Sequence, residues 1–141
     1  MNKNILTAFS VISLLIYSNA FTQENPSAKS SGFYFDVQNP ESVSELDLSS
    51  KDIYMLPQEI FEMKNIECLD LSNNNLSELP DEIMQLQNLK ILKLNGNKIY
   101  WMPDAISRLK FLKEIYLDYF IWGYRLAELK SLTNAKIILT D

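Results

Sequence analysis

From Val43 onward, apolar positions recur at a fixed offset of 23 residues. One column holds Val43, Ile66, Leu89 and Leu112, a second Leu46, Leu69, Leu92 and Ile115, and a third Leu48, Leu71, Leu94 and Leu117. Later columns hold Ile53, Leu76, Ile99 and Trp122, then Ile60, Ile83, Ile106 and Leu129, then Met63, Leu86, Leu109 and Leu132. A unit this short cannot bury its apolar face alone, so the repetition predicts coils stacked into a solenoid. Within each unit the Leu-x-Leu step, as in Leu69-Asp70-Leu71, alternates like a strand with one buried face. A polar turn follows, Ser72-Asn73-Asn74-Asn75 or Asn95-Gly96-Asn97. Its residues tolerate turn geometry, and Asn74 and Asn97 share a column from which their amides can form a ladder inside the bend.

Pro57, Pro80 and Pro103 come next. Placed at the first position of a short α- or 3-10-type helix, each gives up an amide hydrogen that has no partner there, and the acidic residues that follow suit the positive helix end. The terminal units depart from the pattern. Lys51 stands in the asparagine column, which predicts a first turn open to solvent or to a cap. In the fourth unit Phe120 replaces the asparagine and Trp122 the isoleucine, and both are read as packing residues. The segment from Tyr124 to Leu132 predicts a fuller helix with Leu126, Leu129 and Leu132 on one side, and Ala135 to Thr140 a last strand that closes the sheet.

The run LDLSNNNLSELPDEIMQLQNLKILKLNGNKI resembles the leucine-rich repeat pattern, and its 23-residue period with LP and IxxLxN is similar to bacterial members of that class. The resemblance covers about residues 43–141. It implies an α/β fold, a leucine-rich repeat solenoid of about four and a half repeats. A curved parallel sheet would line the concave side and short helices the convex side. It also implies a protein or peptide as the usual ligand.

Residues 1–20 are set apart from this fold. Lys3, the apolar run from Ile5 to Tyr17 and the Ser18-Asn19-Ala20 site read as a signal peptide cut after Ala20, too short to span a bilayer. Residues 21–42 are then a mobile lead-in and N-terminal cap, with Phe33-Tyr34-Phe35 covering the first repeat, and residues 43–141 are the repeat domain. The chain is expected to be secreted or periplasmic, with no membrane span after cleavage.

Thirteen basic residues against eighteen acidic ones give a net charge of −5, and loss of Lys3 with the leader lowers it to about −6. That balance excludes nucleic acid as a natural partner. The single cysteine cannot form an internal disulfide, so packing must hold an exported chain together. With no histidine, no glycine-rich phosphate loop and no Cys/His cluster, no enzyme, metal site or cofactor is expected.

Candidate binding residues are the strand positions that face away from the core. Carried along at the fixed offset, these are Glu45, Cys68, Ile91, Glu114 and Ile137; Asp47, Asp70, Lys93, Tyr116 and Leu139; and Ser49, Ser72, Asn95, Asp118 and Asp141. Of these, Glu45, Asp47, Asp70, Lys93, Glu114, Tyr116 and Asp118 are the expected protein-binding residues, acidic at the N-terminal end and suited to a partner with a basic patch. Tyr100 and Trp101 join them as exposed aromatic anchors, which bury large area at low entropic cost. Cys68 is expected to be inert.

The expected function is a protein-binding scaffold that uses the concave face and the C-terminal aromatic flank. The alternative is a structural or self-associating envelope solenoid without a tight ligand; the oligomeric state stays open. A processed chain should begin at Phe21. Intact-mass measurement of exported protein checks this, and a chain that retains Met1 to Ala20 would remove the leader from the account.

Overall fold

The computed structural model describes residues 5–6, 42–122 and 125–141. Most of the expected leader, the lead-in with Phe33-Tyr34-Phe35, and Tyr124 lie outside the described residues. Among the described residues six parallel strands form one sheet in chain order: β1 (Ile5–Leu6), β2 (Glu45–Asp47), β3 (Cys68–Asp70), β4 (Ile91–Lys93), β5 (Glu114–Asp118) and β6 (Lys136–Thr140). From β2 to β5 the register follows the sequence period, with Glu45, Cys68, Ile91 and Glu114 in one row. At the N-terminal edge Ile5 pairs with Glu45 and Leu6 with Leu46, so two residues of the expected leader continue the sheet.

Opposite the strands run the 3-10 helices Gln58–Glu62, Asp81–Gln85 and Asp104–Arg108. Pro57, Pro80 and Pro103 stand one position earlier than the sequence suggests. Each is the N-cap, with φ of −67°, −73° and −67° and an extended ψ. The proline carbonyl is what the helix uses: it accepts from Ile60, Ile83 and Ile106 N–H at 3.2, 3.1 and 3.1 Å, closing one tight turn. Those three isoleucines are fully buried, and with the inward leucines of the strands they form one core running through all the coils. The one cysteine, Cys68, is a free thiol, so no internal disulfide reinforces it. Burial of this core is the main term that offsets the ordering of the chain.

The turns are held by the expected asparagine ladder. Asn74 Nδ2 donates to the carbonyls of Leu48 and Leu71, both at 2.9 Å, while its Oδ1 accepts from the N–H groups of Lys51 and Ile53, both at 3.0 Å. Asn97 repeats the scheme one coil on, donating to Leu71 and Leu94 and accepting from Leu76 N–H. Each amide therefore ties its own coil to the preceding one, and Lys51 needs no amide because Asn74 reaches back to its backbone. One residue earlier, Ser50, Asn73 and Gly96 form a column with φ of 56°, 56° and 73°. At Gly96 a side chain has no room: a Cβ would lie 2.9 Å from both N and Cα of Asn73.

Tyr119 occupies that column in the fourth coil, and a bulky residue resists positive φ. There the chain turns instead into helix α1 (Tyr119–Trp122). Trp122 is buried as expected, and its indole N–H donates to Ile99 O at 2.9 Å. In the earlier coils the corresponding carbonyls of Ile53 and Leu76 accept backbone N–H groups, from Asn75 and Lys98. A side chain thus replaces a backbone donor. Phe120 corrects the sequence reading: it is 82% exposed, because the helical backbone turns its position out of the bend that holds the asparagine amides.

A second correction concerns β6. Its partners are Glu114↔Lys136, Tyr116↔Ile138 and Asp118↔Thr140, an offset of 22 rather than 23. The cause lies where each strand begins. Glu67 and Cys68 both donate to Ser44 O, Lys90 and Ile91 both to Glu67 O, and Lys113 and Glu114 both to Lys90 O, so one residue is spent on a bulge. At β6 Lys136 N–H donates to Lys113 O and the extra residue is absent. Ile137, Leu139 and Asp141 therefore leave the concave columns, and Ile137 and Leu139 pack against the core. In the preceding helix α2 (Leu126–Leu132) Leu129 is buried and Leu132 half-buried.

Replacing Asn74 by Ala leaves buried backbone groups of two coils without partners, which should lower stability by about 2–4 kcal/mol. Asn97→Ala, with fewer bonds to lose, should cost about 1–3 kcal/mol. Urea unfolding of both variants measures the pair, and equal midpoints to the parent would refute the ladder's role.

Candidate protein-binding face

With β6 re-registered, the concave face has three rows. The first reads Glu45, Cys68, Ile91, Glu114 and Lys136; the second Asp47, Asp70, Lys93, Tyr116 and Ile138; the third Ser49, Ser72, Asn95, Asp118 and Thr140. Neighbours along a row are about 4.8 Å apart, the spacing of strands, so long side chains meet. Lys93 Nζ lies 2.8 Å from Asp70 Oδ2 and 6.0 Å from the Tyr116 ring centroid, and the Tyr116 hydroxyl donates to Glu114 at 3.1 Å. Asp70 also accepts from the Ser72 hydroxyl at 2.6 Å. The structure thus joins four expected site residues, Asp70, Lys93, Tyr116 and Glu114, into one connected strip.

Half-burial alone would raise the Asp70 carboxyl, but the Lys93 ammonium and the Ser72 hydroxyl and amide that donate to it outweigh burial and hold it below the usual carboxylate range. Lys93 is raised, first by its bond to Asp70. The Tyr116 phenol is likewise raised by donating to Glu114. Burial pushes the Cys68 thiol up, with Lys93 opposing, which disfavours the thiolate.

The remaining site residues are less uniform. Glu45 and Asp47 stand next to this strip at the N-terminal end, and the Asp47 carboxylate caps Ser49 N–H at 2.9 Å. Asp118 is engaged across strands, accepting Gly96 N–H at 2.8 and 3.0 Å, so it braces the turn as much as it faces a ligand. Tyr100 and Trp101 are 61% and 41% exposed, as expected, but they lie past the turn, between Ile99 and the 3-10 helix, on the flank rather than in the sheet. Tyr54 and Met55 occupy the same flank positions two coils earlier and are also exposed.

Sequence reasoning missed Lys136, Ile138 and Thr140 as concave residues, and the clue was the Ile137-x-Leu139 step, which matches Leu-x-Leu at 22 rather than 23. It also missed Arg125. Its guanidinium lies 5.6 Å from the Trp122 ring, forms a forked ion pair with Glu128 and donates to Tyr100 O. Nothing among the described residues gathers metal ligands.

Residues 40–140 match the family described as leucine-rich repeat region. The chain belongs to the leucine-rich repeat family. Among solved structures it is similar to a leucine-rich repeat protein of Leptospira interrogans, 39% identical with a TM-score of 0.63, over 68% of this chain and 25% of that one. It is also similar to an internalin of Listeria monocytogenes, 25% identical with a TM-score of 0.53, over 64% of this chain and 26% of that one. The chain thus spans about a quarter of the length of both. No functionally curated protein matches it. Family match and solved structures alike place the chain among leucine-rich repeat proteins of bacterial type.

The carboxylate of Asp70 stabilises the fold above its unfolded value of about 3.9, and that contribution disappears as pH falls through its lower folded value. Lys93, raised, contributes below about 10.4 and loses its contribution as pH rises through the folded value. Asp70→Asn should lower stability by about 0.5–1 kcal/mol at neutral pH, the size of a partly exposed pair. The deficit should begin to fade as pH falls below about 4 and vanish below the lower folded value. Denaturation at several pH values reads this, and a deficit independent of pH would contradict it.

Proposed function

We propose that this leucine-rich repeat protein is exported, by way of the leader ending at Ala20, and binds a protein with a basic patch on its concave face, extended by Tyr100 and Trp101 on the flank. The observation that carries the reading is the charge order of the rows. At the N-terminal end Glu45 and Asp47 have no cation beside them among the described residues, while further along Lys93 is already neutralised by Asp70. An unbalanced acidic end beside a preset polar strip selects a cationic partner and speeds its approach.

Rigid strands support this, because Tyr116 and Glu114 already hold each other and little ordering remains to be done on binding. Trp101 and Tyr100 add apolar area where a partner curls over the rim. Removal of residues 1–20 takes away Ile5 and Leu6 and bares the outer edge of β2, the place that the lead-in is suited to cover.

Mature chain used as bait against envelope and host-cell extracts should retain a basic protein. The double change Glu45→Lys with Asp47→Lys should weaken capture about tenfold, about 1.4 kcal/mol, and Trp101→Ala by a similar factor. Capture that ignores all these changes and ignores salt would sink the proposed surface.

A further inference from the structure

We infer that the cleft between the third coil (residues 89–111) and the fourth (residues 112–134), on the helical side of the solenoid, binds a phosphate ester. Both of its walls belong to described residues, and it measures about 300 Å³. One column of the repeat opens it. Phe61 fills that column in the first coil, fully buried, and Met84 in the second, packed against the core, whereas Ser107 stands there in the third. A hydroxymethyl group leaves empty the space that a ring or a thioether occupies in the coils before it.

The two earlier gaps are also tied shut by side chains. Between the first and second coils Lys64 Nζ donates to Gln85 Oε1 at 2.9 Å, and Asn88 Nδ2 donates back to Lys64 O at 2.9 Å. Between the second and third, Gln87 Nε2 reaches Arg108 O at 3.5 Å and the Arg108 guanidinium lies 3.7 Å from Met84 Sδ. Carried on at the fixed offset, Lys64, Gln85 and Asn88 become Lys110, Ser131 and Asn134. Ser131 is too short to take the bond, and its hydroxyl already donates to Glu128 O at 2.6 Å. The side chains of Lys110 and Asn134 therefore line the cleft without a partner among the described residues, and Lys130 brings a second ammonium to it.

No carboxylate lines this cleft. The charge of the chain is segregated along the solenoid: residues 43–88 hold ten acidic side chains and two basic ones, residues 89–134 four acidic and eight basic. An acidic protein thus has a basic half, and the field there favours an anion. Beside the two ammonium groups stand the Asn134 amide and the Thr133 hydroxyl, which accepts Ala135 N–H at 3.2 Å and keeps its own hydrogen to donate. Donors converging from different residues suit a tetrahedral oxyanion. A phosphate monoester carries about −1.5 to −2 at neutral pH and so matches two ammonium groups better than a single carboxylate does. Leu109, Leu112 and Leu132 supply an apolar wall for the body that bears the phosphate.

Titration of the isotope-labelled full chain with inorganic phosphate, and then with glucose 6-phosphate, tests this through the backbone amide shifts. Saturable shifts are expected at residues 107–110 and 130–134. Lys110→Gln and Lys130→Gln should each weaken binding about tenfold. Ser107→Met, which restores the residue of the second coil, should abolish binding with unchanged circular dichroism; if it fails to fold, the two lysine variants decide. Lys98→Gln, a basic residue of the same half outside the cleft, should bind like the parent. Flotation with phosphatidylcholine vesicles containing phosphatidic acid separates the sources: retention lost with Lys110 and Lys130 assigns the phosphate to a lipid headgroup, and no retention assigns it to a soluble ester. Shifts that never saturate overturn the inference, as do shifts that persist in the cleft variants or fall equally with Lys98→Gln. None of these readouts involves the concave rows, so they are independent of the proposed protein ligand.

Discussion

Two asparagine amides hold the turns on which the rest depends. Asn74 and Asn97 lie inside the bend, where backbone N–H and C=O groups of successive coils would otherwise be buried without partners. A short side chain with two donors and one good acceptor serves both coils at once. Apolar columns supply the driving force, but they are non-directional and would tolerate sliding. The amides fix which residue sits over which, and the straight rows on the concave face follow from that registration.

Where the amides stop, the fold changes its means rather than its geometry. Tyr119 cannot take the left-handed conformation of Ser50, Asn73 and Gly96, so the backbone becomes helical. Trp122 then reaches Ile99 O with its indole N–H, Arg125 covers the ring, and Glu128 anchors Arg125. One bulky residue thus brings a different set of side chains into structural service, and the last coil presents aromatics outward where the others present amides inward.

Most of the solenoid was legible in the sequence because its period is enforced residue by residue. Columns such as Ile60, Ile83 and Ile106 identify buried positions without reference to three dimensions, and Asn74 with Asn97 declares its own role. Exposure of Phe120 was not legible, since column membership presumes that the backbone repeats, and at Tyr119 it ceases to. The outward strand positions from Glu45 to Asp118 were legible too, because alternation along each strand assigns them to one face. What sequence could not supply was who meets whom: that Lys93 is committed to Asp70, that Asp118 braces Gly96, and that Tyr100 and Trp101 stand on a flank apart from the sheet.

The missing bulge before β6 carries a wider meaning. In coils this short the residues of a strand have only two destinations, wet or dry, and a single residue at its threshold decides which set goes where. Without it, Lys136, Ile138 and Thr140 lie on the concave face and Ile137 and Leu139 turn toward the core. Length and surface chemistry are therefore one variable in this architecture: dropping a residue from a coil inverts what the coil displays while leaving its place in the stack untouched.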